Sequence, residues 1–250
     1  MDTELHVVPN TPPSVYLLKD WCTEAEESYL LNRVCNSGSS VQKKWTTVSG
    51  RRLQNFGGTV HEKGMLLTKM PDWLVTTIEK VQTSVGPLLT EPINHVLVNE
   101  YEPGNGILPH QDGGLYAPSV AIVSLACDAV MRFTPHKSFV EESNSDEGND
   151  ELSSSISDNY PFGVFLPRRS LLLFKERLYD GYLHGIDFSE ADVIDASVVN
   201  AGDAGVAAEK VKNQNDDDDS DNRPVVRRTT TRVSMTFRNV RNVRKALRLF

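Results

Sequence analysis

The densest run of chemically useful side chains lies between Asn99 and Asp112, in the stretch NEYEPGNGILPHQD. On an extended chain residues i and i+2 project the same way. His110 and Asp112 therefore leave one strand end together, an imidazole and a carboxylate able to chelate a single cation. An HxD pair alone is weak evidence, because it is common and most histidines are ordinary hydrogen-bonding residues. Of the six histidines, His184 offers a third ligand. It closes the pattern YDGYLHG that begins at Tyr179, downstream of the apolar run Leu171–Phe174. Two imidazoles and one carboxylate on one metal leave three coordination positions open, the facial triad that non-haem Fe(II) oxygenases use for O2 and an organic cosubstrate. A zinc hydrolase could use the same three ligands with one open position, so the triad by itself leaves the metal undecided.

A second pattern lies near the C-terminus. In Arg232-Val233-Ser234-Met235-Thr236-Phe237-Arg238, polar and apolar residues alternate. Arg232, Ser234, Thr236 and Arg238 then share one face of a strand. In a half-buried strand that face would meet water. In a barrel it would line the interior and present two guanidinium forks, the groups best matched to bidentate carboxylate binding. A dicarboxylate beside the metal needs such anchors, and this favours the inward reading.

These residues need a scaffold. Thr23 and Glu26 form a capping box ahead of Tyr29, Leu30, Val34 and Cys35, which predicts a helix over 24–36. Trp73, Leu74, Ile78 and Val81 predict a second over 72–84. Between them KKWTTVSGRRLQNFGG, from Lys43 on, is dense in turn formers, cations and aromatics and reads as an exposed hairpin or loop. From residue 94 the period becomes two. Strands are expected at Asn94–Tyr101, Ser119–Cys127, Val130–Pro135, Ser170–Lys175, Gly181–Gly185 and Thr231–Val240. Helices first and strands afterwards indicate an α+β protein with an antiparallel β core. Segments near 141–159 and 189–224 are acidic and poor in aromatics, the composition of disordered inserts. Val243, Leu247 and Phe250 at near-helical spacing could dock a terminal helix.

The 250 residues suffice for one substantial core, though a hydrophobic content of 39% is low for a compact globule. The net charge of -8 conceals an uneven distribution: -14 over residues 141–222 and +9 over the last 28 residues. An acidic total therefore does not argue against a nucleic-acid partner. No stretch approaches the roughly 20 apolar residues of a membrane span, and the N-terminal MDTELHVVPN lacks the apolar run of a secretory signal. Cys22, Cys35 and Cys127, odd in number and scattered, form neither a disulfide framework nor a CxxC metal knuckle. A soluble intracellular chain is the expectation, in nucleus and cytoplasm and as a monomer.

The order N-x-Y, PGxxxxPHxD, a distal His before Gly, and R-x-S-x-T-x-R resembles AlkB-type Fe(II)/2-oxoglutarate dioxygenases. WTxxSGRRLQNFGG and NHVLVNEY resemble in particular the eukaryotic AlkB homologue 6 branch. The resemblance covers nearly the whole chain. It implies a double-stranded β-helix (jelly-roll or cupin-like) over 94–250, with residues 1–93 forming helices and a nucleotide-recognition lid packed on it. It also implies Fe(II), 2-oxoglutarate and O2 as cofactor and cosubstrates. His110, Asp112 and His184 would hold iron. Asn99 and Tyr101 would hydrogen-bond 2-oxoglutarate, Arg232 would pair with its distal carboxylate, and Arg238 would hold the end nearer the metal. Ser234 stands where many members have Asn, a shorter side chain at a cosubstrate position.

The substrate the resemblance implies is an N-methylated or alkylated nucleobase, demethylated oxidatively. RNA is expected before DNA, because the eukaryotic members this chain resembles frequently act on RNA and single strands expose a base at little cost, and N6-methyladenine is the best single guess among marks. Alkylated DNA repair, protein hydroxylation, a zinc-dependent cupin and an RNA-binding regulator with weak turnover are the alternatives. Basic side chains interleaved with aromatics suit phosphate contact and base stacking. The expected substrate contacts are therefore Lys43, Lys44, Trp45, Arg51, Arg52, Gln54 and Phe56, with Tyr116 beyond the HxD. Arg241, Arg244, Lys245 and Arg248 could add phosphate contacts.

Overall fold

The structure is a computed structural model that describes residues 4–35, 45–137, 160–210 and 223–244. The first insert (141–159), Lys43, Lys44 and the last six residues lie outside them.

Strands β1 (His6–Val7) and β2 (Val15–Leu18) precede helix α1 (Glu24–Cys35). Its capping box forms as expected: Thr23 N–H donates to Glu26 Oε2 at 2.8 Å, and Glu26 N–H donates to Thr23 Oγ1 at 3.2 Å. Next come β3 (Thr46–Val48), β4 (Arg51–Phe56), β5 (Gly58–His61), β6 (Gly64–Leu67) and helix α2 (Asp72–Val85). The strand series continues with β7 (His95–Tyr101), β8 (Ile107–His110), β9 (Ser119–Leu125), β10 (Ala129–Pro135), β11 (Phe162–Leu166), β12 (Leu171–Lys175) and β13 (Tyr182–Ile186). The chain then forms β14 (Ala191–Val193), β15 (Glu209–Lys210), β16 (Pro224–Arg227), β17 (Arg232–Arg238) and β18 (Val243–Arg244).

Eight strands form a major sheet in the order β1-β2-β12-β9-β17-β7-β4-β3, and a minor sheet runs β11-β10-β13-β8, both antiparallel throughout. Val120, Ile122, Leu172 and Phe174 of the major sheet meet Met131, Phe133, Phe162 and Val164 of the minor one in a shared core. On its other face the major sheet buries Val96, Val98, Val123 and Met235 against Leu30 and Val34 of α1 and Leu74, Ile78 and Val81 of α2. Two facing antiparallel sheets with helices on the outside make the expected α+β double-stranded β-helix.

The layering fixes the parity of β17. Val233, Met235 and Phe237 pack toward the helices. Arg232, Ser234, Thr236 and Arg238 must then point between the sheets, and all four are buried. The face that could have met water is the interior one.

Three expectations are corrected. First, the segment 189–224 is not a disordered insert over its described part. Strands β14, β16 and β15 form a small sheet, and Ile194, Val198, Ala204 and Val226 bury against Val130 and Phe165. The outer face of the minor sheet carries the apolar Val130 and Phe165, and the covering layer keeps them from water. Acidic composition masked those few apolar anchors. Second, the stretch from Lys43 forms a hairpin over its described part, β3 pairing antiparallel with β4, but β4 is not exposed: it is an inner strand of the major sheet, paired with β7 from Arg52↔Glu100 to Phe56↔Val96. Residues before position 94 thus build the sheet itself as well as its helical cover. Third, Val243 belongs to β18, which pairs parallel with β6, and not to a terminal helix.

Candidate metal and cosubstrate centre

The antiparallel pairing of β8 with β13 sets His110 opposite His184, and the register shifts between His184 and Ile186. The two strands approach so closely that a Cβ on Gly185 would lie 2.9 Å from the Ile107 carbonyl oxygen. Only glycine beside His184 allows that approach. Asp112 follows two residues after β8, and one ligand atom from each of His110, Asp112 and His184 lies within 4.8 Å of the others.

The protonation states suit a metal. His110 Nδ1 is 2.9 Å from the Leu108 carbonyl oxygen, which can only accept, so Nδ1 is the donor there and Nε2 is the nitrogen left for a metal. Burial, opposed in part by Asp112, lowers the His184 pKa to about 4, so the ring is neutral. Burial also pushes the Asp112 carboxyl upward, but Arg238 and then the two imidazoles outweigh it and hold it below its ordinary value. Arg238 Nη1 donates to Asp112 Oδ1, leaving Oδ2 buried without a partner among the described residues. An ionised oxygen orphaned in the interior is destabilising unless a cation takes it. With two imidazoles beside it, the donor set fits a divalent metal.

One cavity opens from these ligands along β7 and β17. Register places Arg232 opposite Tyr101 and Ser234 opposite Asn99, and all four line the cavity with the metal ligands. Arg232 Nη2 donates to Ser124 Oγ at 2.8 Å, while its Nε is buried and has no hydrogen-bond partner among the described residues. Ser234, for all its short side chain, stays on the cavity wall. Ile122 and Met131 form the apolar side. Sequence reading missed both, although alternation along β9 and β10 could have marked them.

The expected substrate residues divide. Arg51 lines the cavity. Tyr116 forms an isolated bridge with Val240, and the Arg238 guanidinium sits 4.1 Å from its ring centre. Arg52 pairs bidentately with the buried Glu100 at 2.5 and 2.8 Å and covers the Trp45 ring at 4.5 Å. Gln54 and Phe56 are buried, Phe56 edge-on to Trp73, so neither offers a face to a ligand. Strand alternation explains the split. Arg52, Gln54 and Phe56 share the helix-side parity, and Arg51, Leu53 and Asn55 face the other way.

His95, on β7, was not expected near the site. It is fully buried, its Nε2 lies 3.2 Å from Asn55 Oδ1, and its Nδ1 has no partner among the described residues. Burial and then the Arg238 charge lower its pKa from 6.5 to about 3. The unfolded chain therefore binds the extra proton between those values. This share of stability is complete above about pH 6.5 and is lost as pH falls toward 3, roughly 5 kcal/mol in all. In urea titrations from pH 7 to pH 4, His95→Gln should lose stability less steeply than the native chain. Parallel curves would refute this assignment.

Comparison with known proteins agrees with the geometry. The model of the 2OG-Fe(II) oxygenase superfamily matches residues 14–238. Over 246 residues the chain is 37% identical to the Danio rerio protein named "Probable RNA/DNA demethylase ALKBH6", covering 98% of this chain and 94% of that one. It is 26% identical to the Arabidopsis thaliana "Alkylated DNA repair protein ALKBH8 homolog", covering 97% of this chain and 61% of that protein. The solved structure of OsALKBH1 matches with a TM-score of 0.52 at 14% identity, over 91% of this chain and 99% of that one, a likeness of fold. The chain therefore belongs to the 2OG-Fe(II) oxygenase superfamily, as an AlkB-type dioxygenase that uses Fe(II), 2-oxoglutarate and O2.

Proposed function

We propose that this dioxygenase demethylates N-methylated nucleobases in nucleic acid, with RNA as the preferred polymer and N6-methyladenine as the first mark to test. The observation that carries the reading is the single cavity in which the triad meets the inward arginine of β17. The demethylase name of the Danio rerio relative and the DNA-repair name of the Arabidopsis thaliana relative support nucleic acid as the substrate class.

His110, Asp112 and His184 would hold the iron. When bound, iron with 2-oxoglutarate and O2 supplies the oxidation: the oxo acid becomes succinate and CO2, and one oxygen atom enters a substrate C–H bond. Arg232 would pair with the distal carboxylate of 2-oxoglutarate, with Tyr101, Asn99 and Ser234 as further hydrogen-bonding groups. Arg238 orients the Asp112 carboxylate. Ile122 and Met131 exclude water from the cavity wall. A hydroxylated N-methyl group is a hemiaminal, which releases formaldehyde and leaves the free amine. A single-strand RNA substrate is consistent with a monomer in nucleus and cytoplasm.

The test is a panel of RNA and DNA oligomers, each with one methylated base, incubated with Fe(II) and 2-oxoglutarate and read by mass spectrometry. Loss of one methyl from the N6-methyladenine RNA, matched by equimolar succinate and formaldehyde, is the expected result. If only alkylated DNA responds, DNA repair replaces RNA demethylation. If no oligomer responds while peptides gain one oxygen atom, the nucleic-acid reading fails.

A further inference from the structure

The inner cavity and an outer groove lined by Thr47, Val48, Arg52, Glu100, Glu102 and Asn105 share one wall residue, Arg51. Its position is tightly set. The β3–β4 turn reaches it through Gly50, at φ +74°, where a Cβ would lie 2.5 Å from the Phe188 ring and 2.7 Å from the Gly106 carbonyl oxygen. No larger residue fits there, so the hairpin is seated directly on the loop that leads into β8. From that seat Arg51 Nε donates to Asn99 Oδ1 at 3.0 Å.

That bond decides which end of the Asn99 amide serves the cavity. A primary amide carries an acceptor oxygen and two N–H donors, and a neighbouring donor selects its orientation. With Oδ1 held by Arg51, the Nδ2 donors are the group left to an anion. A flipped amide would turn its carbonyl oxygen toward a carboxylate instead. We infer that Arg51 is a positioning residue that holds the Asn99 amide with its donors available to the carboxylate of 2-oxoglutarate, rather than a contact for substrate phosphate. The inference rests on the proposed placement of 2-oxoglutarate in this cavity. It adds a determinant from the N-terminal hairpin to a site otherwise built from β7 and β17.

The experiment is calorimetric titration of 2-oxoglutarate into Mn(II)-loaded protein, with steady-state KM and kcat alongside. Arg51→Leu should weaken 2-oxoglutarate binding about 10-fold, the lower end for residues that orient a ligand. KM for 2-oxoglutarate should rise equally, with kcat changed less than about two-fold. Asn99→Ala should show a similar loss, and adding Arg51→Leu to it should cost nothing more, since the two act through one amide. If Arg51→Leu does not fold, Arg51→Gln, which keeps a planar donor without the guanidinium reach, takes its place in the cycle. Additive losses, or unchanged 2-oxoglutarate binding in the Arg51 variant alone, would overturn the inference while leaving the cavity assignment standing. Unchanged binding in Asn99→Ala as well would remove both. Reduced RNA affinity with a shallower salt dependence and intact 2-oxoglutarate binding would make Arg51 a phosphate contact after all.

Discussion

Replacing Asp112 by asparagine is expected to lower 2-oxoglutarate-dependent succinate formation by more than about 100-fold, beyond the loss typical of residues that only orient a metal ligand. The substitution is nearly isosteric, so its effect isolates charge. Arg238 Nη1 already holds one carboxylate oxygen, and the other is buried without a partner among the described residues. In the variant the amide oxygen can keep the arginine bond, but an N–H₂ then stands where the metal's oxygen was. Arg238, 5% exposed, also loses its charged partner. Removing one partner of a buried pair costs roughly 3–5 kcal/mol, so the metal-free protein should also unfold at lower urea. Mn(II) affinity by electron paramagnetic resonance and urea midpoints measure the two losses separately. Near-native Mn(II) binding would remove Asp112 from the ligand set.

The second large effect is expected far from the ligands. Arg228 and Asp192 form an ion pair with side chains only 4% and 0% exposed, joined by two bonds of 2.6 and 2.7 Å. The same guanidinium donates to the carbonyl of Asn105, ahead of β8, and to that of Asp187, just after β13. One arginine therefore ties together the ends of both histidine-bearing strands. Asp192→Asn should lower unfolding free energy by about 3–5 kcal/mol. The paired change Asp192→Leu with Arg228→Met should recover most of that stability, because well-packed apolar isosteres often replace a buried pair without loss. It should not recover Mn(II) affinity, because nothing then holds the Asn105 and Asp187 carbonyls. Recovery of both would reduce the pair to a stability feature.

The chemistry of the site was easier to read from sequence than its enclosure. His110 and Asp112 announce themselves by i, i+2 spacing, and β17 by strict alternation along seven residues. Both are local patterns, and local patterns survive in a single chain. Whether the polar face of β17 points inward depends on which side the helices cover, a non-local fact that alternation cannot supply; the chemistry of a dicarboxylate and then the resemblance favoured the inward side. The errors have the same origin. Arg51 and Arg52 are neighbours of identical type, and only pairing with β7 sends one to the cavity and the other to Glu100. β11 was overlooked because a strand buried on both faces shows no alternation. The β14–β16 layer was overlooked because four apolar anchors are few among so many acids.

The place of β17 has a consequence for biosynthesis. It lies between β9 and β7 in the major sheet, yet it follows every other strand of that sheet in the chain. In a nascent chain made at roughly 5–20 residues per second, every other strand of the major sheet is synthesised before β17, and until β17 arrives β9 and β7 each lack the neighbour between them. At that stage His110, Asp112 and His184 have all left the ribosome, but Arg238 and Arg232 have not. A stalled or clipped product would hold metal-binding side chains without the guanidinium that orients Asp112 or the one that would receive the cosubstrate. Closing the major sheet and bringing Arg232 and Arg238 to the site thus depend on one strand, the last of that sheet to be made.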